Sequence, residues 1–259
     1  MSLDTDFHDH VVRSSALQMA QSAHERGIRI LGLSEHVFQM SEARAPLTHM
    51  EQEGPILTIQ EYIAQVKAAG QQAGVDVRLG LEVDFIPEKN ATIQASLQGY
   101  PWDFLIGSVH QVDGELFERD NKLKKEQGEA RWLRYLQLLR EAVQSGFFSL
   151  VSHPVRMRYN NPYLPPNVDN EYEQLAALAT QHDIALEING YDTLTHPEMV
   201  RQLAKACALH NTPISVGSDA HNPRQIAQAH EQTEAILREA GITKVRIWKQ
   251  RVAEEYIFD

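Results

Sequence analysis

Short apolar runs alternate with amphipathic helical segments along this chain, and this alternation restricts the possible folds more than any other feature. The seven runs typical of β-strands lie at residues 3–7, 28–33, 77–83, 103–109, 147–152, 184–188 and 213–217. The helical patterns lie between or after them, near residues 15–26, 58–73, 128–145, 170–182, 197–210 and 224–240. Strands that alternate with helices form parallel sheets. The pattern therefore predicts an α/β fold, and closure into a barrel accounts for seven strands more simply than two open sheets.

Length and composition favour one domain. The chain has 259 residues, 42% of them hydrophobic, and no repeat or linker-like stretch divides it, so we expect a single domain over residues 1–259. Its one cysteine, Cys207, cannot form an internal disulfide and is expected to be a small buried core residue. The N-terminal residues lack a signal-peptide pattern, and no apolar run approaches the roughly 18 residues of a membrane helix. We therefore expect a cytoplasmic protein that does not associate with a membrane.

The charge of the chain bears on its partners. The formal net charge is −11, from 35 acidic and 24 basic residues. Nonspecific binding to nucleic acid depends on clustered lysine and arginine, whereas the one basic cluster, at residues 122–134, is interspersed with acids. We expect no nucleic-acid partner. The sequence leaves the oligomeric state open.

Metal-binding residue types follow one predicted strand after another. In parallel α/β folds the carboxyl ends of the strands open onto one face, where catalytic groups are mounted. Six of the twelve histidines fall at these ends, together with several carboxylates and an asparagine. These residues are His8, His10, Glu35, His36, Glu82, Asp84, His110, His153, Asn189, Asp219 and His221. Their repeated placement predicts one polar site at the carboxyl end of the sheet.

Imidazole and carboxylate donors without a thiolate favour Zn²⁺, Mn²⁺ or Fe²⁺ over Ca²⁺. One tetrahedral ion cannot use so many donors, so we expect two or three divalent ions, with Glu82 or Asp219 as candidate bridges. Paired ions can hold a bridging hydroxide as a nucleophile and neutralise substrate oxygens. The donor set therefore predicts a metal-dependent hydrolase.

Six motifs resemble those of the polymerase-and-histidinol-phosphatase (PHP) superfamily, in the same order along the chain. They are D-F-H-D-H (6–10), S-E-H (34–36), G-L-E-V-D-F (80–85), F-L-I-G-S-V-H (104–110), S-H-P (152–154) and G-S-D-A-H (217–221). The chain is most similar to the stand-alone histidinol-phosphate phosphatases of that superfamily. The resemblance implies a distorted (β/α)7 barrel with its metal site at the carboxyl ends of the strands.

The resemblance also implies a set of metal ligands. A first ion would be bound by His8, His10, Glu82 and Asp219. A second would be bound by Glu82, His110 and His153. A third would be bound by His36 and His221. Members of the family usually carry a further histidine shortly after the H-x-H pair, but residues 11–17 read V-V-R-S-S-A-L. We therefore predict that a third ion binds weakly or recruits another ligand, with Glu35, His49, water or substrate phosphate as candidates.

Residues near the ligands are candidates for contacts with substrate or for orientation of the imidazoles. Arg156, Arg158, Arg13 and Asn189 are predicted substrate contacts, because a guanidinium can grip phosphate through two hydrogen bonds. Asp219 and His221 are candidates to assist proton transfer to the leaving group. The long segment 37–57 follows the second strand and is a candidate lid. Asp6 and Glu35 are expected to orient imidazoles. The remaining histidines are expected to be structural or exposed: His24, His182, His196, His210 and His230.

The function favoured by these patterns is hydrolysis of a small phosphate monoester by a metal-bridging hydroxide, with L-histidinol phosphate as the candidate substrate. The partner would then be a small phosphorylated metabolite. A phosphodiesterase or nucleotide phosphatase of the same superfamily is the nearest alternative. An amidohydrolase that cleaves C–N bonds is a weaker one, because no lysine directly follows any predicted strand. A noncatalytic metal-binding module remains a third alternative.

Overall fold

Seven parallel strands form a nearly closed barrel in the computed structural model, which describes residues 2–117 and 122–258. The strands in these two ranges are β1 Thr5–Asp9, β2 Ile30–His36, β3 Asp76–Asp84, β4 Ile106–Ser108, β5 Gln111–Val112, β6 Glu115–Leu116, β7 Leu150–Val151, β8 Ala185–Asn189, β9 Ile214–Gly217, β10 Lys244–Lys249 and β11 Val252–Ile257. The helices are α1 Ala16–Glu25, α2 Ile59–Ala73, α3 Asn90–Ser96, α4 Lys125–Gln144, α5 Val168–Gln181, α6 Gly190–Thr195, α7 Pro197–His210 and α8 His230–Glu239.

The barrel strands follow the order β1-β2-β3-β4-β7-β8-β9, with every neighbouring pair parallel. Asp9 and Ala220 form an isolated parallel bridge between the first and last strands, so the sheet nearly closes on itself. The N–H of His10 donates to the carbonyl of Ala220 over 2.8 Å, and the N–H of Asp219 donates to the carbonyl of His8 over 2.7 Å. The predicted barrel is confirmed, and each predicted strand overlaps an observed one.

Aromatic rings fill the amino-terminal end of the barrel. Phe7 and Phe104 lie with ring centroids 5.0 Å apart, and Trp248 packs on both. The ring of Phe104 lies against Gly80 of β3, where an added Cβ would come within 2.2 Å of it. This glycine is therefore required by the close packing of the barrel interior, and its φ plays no part.

A C-terminal hairpin, β10 and β11, covers this aromatic end and was not predicted. Arg78 Nη1 donates to the carbonyl of Trp248 over 2.7 Å, and the N–H of Gln250 donates to Asp103 Oδ1 over 2.8 Å. These bonds tie the hairpin to the beginning of β3 and to the loop before β4. The hairpin thus closes the end of the barrel that carries no predicted site residue.

The outer helices begin and end where local chemistry requires. Thr58 and Glu61 form a capping box at the start of α2, and Gly74 ends that helix with φ of 69°. The predicted helix at 224–240 is too long, because α8 begins only at His230. Ala227 and Ala229 before it adopt positive φ, which interrupts a helix.

Two further expectations concern burial and the membrane. Cys207 is fully buried in α7, as expected for a small core residue. Among the described residues, no helix has both the length and the apolar character that crossing a bilayer requires. The cytoplasmic location stays a prediction.

Candidate metal centre

The structure brings all eight predicted metal-binding residues together at the carboxyl end of the barrel, around the carboxylate of Glu82. Glu82 is the seventh residue of β3 and is 1% exposed. Its Oε1 lies 3.3 Å from Nε2 of His8, 3.3 Å from Nε2 of His110 and 3.2 Å from Nε2 of His153. Three strands other than β3 thus direct an imidazole at one carboxylate oxygen.

The second oxygen of Glu82 and the carboxylate of Asp219 define the other side of the cluster. Glu82 Oε2 lies 3.7 Å from His10 Nε2 and 2.6 Å from His36 Nδ1. Asp219 Oδ1 lies 3.4 Å from His10 Nε2 and 3.6 Å from His221 Nδ1. The ring of His10 is stacked between those of His36 and His221, with centroids 4.1 and 4.2 Å away. Possible ligand atoms of these three histidines all lie within 4.8 Å of one another.

Unsatisfied polar atoms show that the cluster suits cations. Within the described part of the chain, Nε2 of His8, Nε2 of His10, Nδ1 of His36 and Oε2 of Glu82 are buried and make no hydrogen bond of suitable geometry, although they lie close to one another. An unsatisfied buried polar group costs about 1–3 kcal/mol, so a concentration of them calls for an explanation. Divalent ions that bind imidazole and carboxylate at about 2.0–2.2 Å would satisfy these atoms. The donor set fits such ions.

The carboxylates are held in the charged form that a metal ligand requires. Burial alone would raise the pKa of Glu82, but the charges of His36, His8 and His110 outweigh it and hold the pKa well below its usual range. Burial likewise opposes ionisation of Asp219, whose pKa is nevertheless lowered well below its usual range, chiefly by Arg156 and His8. Both groups are therefore anionic at neutral pH.

The histidines do not all favour protonation. Burial opposes the charged form of His10, yet the neighbouring carboxylates of Asp219 and Glu35 raise its pKa to about 9. Burial and the charges of His10 and His36 lower the pKa of His221 to about 3. A neutral His221 has a free lone pair, which is the form that binds a metal ion.

Three buried carboxylates orient imidazoles from behind. Glu187 Oε1 lies 2.7 Å from His8 Nδ1, and Asp84 Oδ1 lies 2.8 Å from His110 Nδ1. Glu35 Oε1 lies 3.5 Å from Nδ1 of His10, in agreement with its predicted role. Such contacts at Nδ1 fix the ring and turn Nε2 towards the cluster.

Two of these assignments differ from the sequence-based expectation. Glu187 was missed, although an acid between Leu186 and Ile188 of a buried strand is a signal that could have found it. Asp6, expected to orient an imidazole, instead accepts hydrogen bonds from the N–H of Ser218 and the N–H of Ala227. It anchors the loop after β9, because the register of β1 shifts between Asp6 and Asp9, and this irregularity breaks the alternation that would place Asp6 and His8 on one face.

Two of the predicted ligands have a strained backbone. His153 has φ of 34° and Asp219 has φ of 56°, in the left-handed region that residues other than glycine rarely adopt. Tyr135 Oη donates to the carbonyl of His153 over 2.8 Å, and the bond from Asp219 N–H to His8 holds the other strained residue. Strain of this kind is typical of functional sites.

Residues 7–190 of this chain match the family model of the PHP domain. The chain belongs to the PHP domain family.

Two relatives and one solved structure extend the comparison. A probable histidinol-phosphatase from Deinococcus radiodurans is 30% identical over 238 residues, covering 86% of this chain and 86% of that protein. A probable phosphatase from Syntrophotalea carbinolica is 23% identical over 256 residues, covering 95% and 92%. The crystal structure of histidinol phosphate phosphatase from Lactococcus lactis, complexed with zinc, L-histidinol and phosphate, matches with a TM-score of 0.79 at 17% identity, covering 97% of this chain and 98% of that one.

These similarities confirm two predictions. The Lactococcus lactis structure confirms the seven-stranded barrel, since the likeness extends over almost the whole of both chains. Membership of the PHP family, with relatives named as phosphatases, confirms the class of enzyme, a metal-dependent phosphatase.

Arg156 is the basic residue that the PHP site holds most firmly. It begins a 3-10 turn, Arg156–Tyr159, three residues after the strained His153. Its Nε donates to Asp192 Oδ1 over 2.8 Å, and its Nη2 donates to Asp219 Oδ2 over 2.5 Å and to Asn189 Oδ1 over 3.0 Å. The guanidinium is thereby fixed beside the predicted metal ligands.

The other predicted substrate contacts lie at different distances from the centre. Asn189 is 2% exposed and lies beneath Arg156, where its side chain also donates to Glu187 Oε2 over 3.1 Å. It holds the arginine in place and is absent from the described cavity lining. Arg13 does line a cavity beside Asp219. Arg158 shares the turn of Arg156 but is likewise absent from the described lining of both cavities at the site.

A cavity of about 270 Å³ opens over the cluster, and residues of the segment 37–57 form part of its wall. A role of this segment as a lid stays a prediction. The described lining residues are His36, Phe38, Met50, Glu51, Glu53, Glu82, His110, Leu116, Arg156, Asp219 and His221. A second, adjoining cavity reaches Arg13, Tyr159 and Tyr191. The predicted catalytic residues, Asp219 and His221, line both.

The remaining histidines lie elsewhere. His49, a candidate third-site ligand, has its Nε2 2.9 Å from Gln111 Oε1. His230 is buried, with Nε2 3.0 Å from the carbonyl of Thr5. The others lie in or next to outer helices, at His24, His182, His196 and His210.

Proposed function

We propose that this PHP-family enzyme hydrolyses a small phosphate monoester and that L-histidinol phosphate is its substrate. The observation that carries the proposal is the carboxylate of Glu82 within 3.7 Å of five imidazoles, beside a buried arginine that faces the same cavity. The names of the Deinococcus radiodurans and Lactococcus lactis proteins support the choice of substrate. The partner of the enzyme is then a small phosphorylated metabolite.

Two or three divalent ions, Zn²⁺, Mn²⁺ or Fe²⁺, would be held by the cluster. His8, His10, Glu82 and Asp219 would bind the first, and Glu82, His110 and His153 the second. His36 and His221 would contribute to a third. When bound, such ions supply Lewis acidity and lower the pKa of water towards 7.

The residues of the chain then have separate tasks in hydrolysis. Water adds to phosphorus, the bond from phosphorus to the alcohol oxygen breaks, and the leaving alkoxide takes up a proton. Arg156 would bind phosphoryl oxygens and stabilise their growing charge, because Asp192 and Asp219 fix its guanidinium at the cavity wall. The attacking water loses a proton as it adds to phosphorus. Asp219 and His221 both line the cavity in their basic forms, so they would accept this proton and pass it to the alkoxide.

The shape of the cavity supports a small organic phosphate. Phe38 and Met50 of the segment 37–57, together with Leu116, give it an apolar wall next to the polar cluster. This arrangement suits a substrate with a compact organic group attached to phosphate. We further propose that residues 1–259 act as one domain, since β1 near the beginning of the chain belongs to the barrel that the hairpin near its end covers.

A comparison of four substrates tests the proposal. Metal-reconstituted protein would be given L-histidinol phosphate, p-nitrophenyl phosphate, a nucleoside monophosphate and bis-p-nitrophenyl phosphate, and inorganic phosphate release would be measured. We expect kcat/KM to be highest for L-histidinol phosphate, and E82Q to lose the activity. Faster cleavage of the diester, or of the nucleotide, would assign the site to the phosphodiesterase or nucleotide phosphatase alternative instead.

A further inference from the structure

Glu53, in the segment between β2 and α2, reaches the side of the metal centre where the ligand set is incomplete. Its Oε1 lies 3.8 Å from His36 Nε2, and its Oε2 lies 3.6 Å from His221 Nε2. Two donors bound to one tetrahedral ion at about 2.0–2.2 Å are themselves separated by roughly 3.3–3.5 Å. Each imidazole therefore lies nearly as far from an oxygen of Glu53 as two ligands of one ion lie from each other.

Glu53 is also short of partners for a carboxylate so enclosed. Its side chain is 18% exposed, and Oε2 is buried without a hydrogen bond among the described residues. Arg13 Nε lies 3.2 Å from this oxygen, but the arginine side chain is 53% exposed. An exposed arginine is a weak partner, because solvent screens the interaction. Glu53 is thus a donor that an ion could satisfy.

Hydrogen bonds to Gln39 fix the backbone around Glu53. With its carboxamide oriented to satisfy both contacts, the buried side chain of Gln39 accepts from the N–H of Glu53 over 2.7 Å and from that of Gly54 over 3.2 Å. The N–H of Leu57 donates to the carbonyl of Gln39 over 3.0 Å. The end of the segment is therefore tied to the residues that follow β2, only a few positions after His36.

Residues 11–12, which follow the H-x-H pair, leave room for Glu53 beside His36 and His221. The N–H groups of Val11 and Val12 both donate to Glu35 Oε2, over 2.7 and 2.9 Å, which holds residues 11–12 close to β2. Gly54 packs against Val12 so tightly that an added Cβ would lie 2.7 Å from the carbonyl oxygen of Val12. The short segment and the glycine together let the loop bring Glu53 to the cluster.

We propose that Glu53 is the ligand that completes the third metal site, together with His36 and His221. The inference rests on the proposed function, since it takes the cluster to be a centre for divalent ions. Two imidazoles and one carboxylate leave a fourth position for water or a phosphate oxygen. Of the candidates named from the sequence, Glu35 accepts from Val11, Val12 and His36, and His49 contacts Gln111. Both are therefore engaged elsewhere.

The proposal assigns the segment 37–57 a direct part in metal binding. Displacement of the loop would remove Glu53 from the third site while the donors around Glu82 stay on their strands. Loss of Glu53 should therefore lower the affinity for one ion and leave the other two in place.

Metal binding by variants provides the test, with Zn²⁺ as the probe. Wild type, E53Q, E53H, R13Q and E51Q would each be loaded with Zn²⁺, dialysed and analysed for zinc per chain, with unfolding curves to verify folding. We expect three zinc ions in wild type and two in E53Q, with at least about a tenfold loss of affinity at the weakest site. E53H should restore the third ion, because histidine is also a zinc ligand.

The controls separate this role from a purely structural one. R13Q removes the ion pair with Glu53, and E51Q removes a neighbouring negative charge on the same loop, so both should retain the third ion. Equal zinc contents in wild type and E53Q, or loss of zinc in R13Q matching that in E53Q, would overturn the proposal. Because zinc is counted without substrate, a protein that loses one ion in E53Q yet hydrolyses no phosphate monoester would refute the proposed function alone.

Discussion

The two ends of the barrel contrast sharply although the same strands build both. At the amino-terminal end, Phe7, Phe104 and Trp248 pack on one another beneath the hairpin. At the carboxyl end, only one residue after Phe7, His8 begins a cluster of buried donors. The first end satisfies its atoms by packing, whereas the second leaves them to be satisfied by ligands. Stability and function are thus divided along each strand.

Strand β3 shows the same division within three residues. Positions 80 and 82 both face the barrel interior, because strand residues alternate with period two. Gly80 leaves space for the ring of Phe104, whereas Glu82 extends into the histidine cluster. A change at one end of the barrel should therefore have little effect on the other.

The largest effect should follow from E82Q. The amide cannot bridge two cations as a carboxylate does, so kcat/KM should fall by more than the roughly 10–100-fold typical of residues behind the ligands. H36N should lower kcat/KM less, because the proposed ligand set assigns His36 to one ion only. The free energy of unfolding of the metal-free protein separates a local effect from misfolding. Similar losses for E82Q and H36N would mean that the third ion is as important as the bridged pair.

The opposite end should respond in stability alone. W248A removes a buried ring that contacts Phe7 and Phe104, so we expect the free energy of unfolding to fall by roughly 3–5 kcal/mol. L209A, at a side chain that is 63% exposed, provides the control and should change it little. Metal content and kcat/KM of folded W248A should match those of wild type. A loss of bound metal in W248A would show that the two ends are coupled.

A smaller effect should follow from E187Q, behind the cluster. Glu187 contacts His8 Nδ1 and accepts from the N–H of His153 over 2.8 Å, so it positions two ligands. We expect metal affinity to fall about 10–100-fold. E171Q alters another buried glutamate, one that pairs with Arg140 away from the site, and should leave the affinity unchanged. Equal affinities for E187Q and wild type would argue against a positioning role.

The smallest effect concerns acid stability of the metal-free protein. Burial would raise the pKa of Glu35. The interaction with the His10 imidazole and the positive charges of His10 and His36 outweigh burial and lower the pKa from 4.5 to about 2. A carboxylate with a lowered folded-state pKa stabilises the protein above pH 4.5, and that stability is lost as the pH falls towards 2. Urea unfolding across this window should show a shallower pH dependence for E35Q than for wild type. Identical slopes would contradict the assignment.

Much of the barrel could be predicted because its determinants are local and repeated. Apolar runs mark the strands, and the histidines at their ends mark the functional face. The C-terminal hairpin was missed because its turn residues, Gln250 and Arg251, both adopt positive φ without the glycine or asparagine that usually signals such a turn. Val245 and Ile247 alternate with Lys244 and Arg246, but nothing local indicates which surface they cover.

The candidate site shows the same limit. The positions of His8, Glu82 and Asp219 follow from strand order, so the sequence could predict that they converge. Glu53 lies in a loop, and its approach to His221 depends on contacts that join Gln39 and Val12 to residues far along the chain. The sequence indicated that a ligand was missing, and only the folded loop indicated a replacement.

The most direct test measures metal content and phosphate release on the same sample before and after chelation. If the cluster around Glu82 binds catalytic ions, chelation should remove the ions and the activity towards L-histidinol phosphate together, and Zn²⁺, Mn²⁺ or Fe²⁺ should restore both. E82Q treated in parallel should recover neither fully. Phosphate release that persists at its full rate in the metal-free protein would contradict the account.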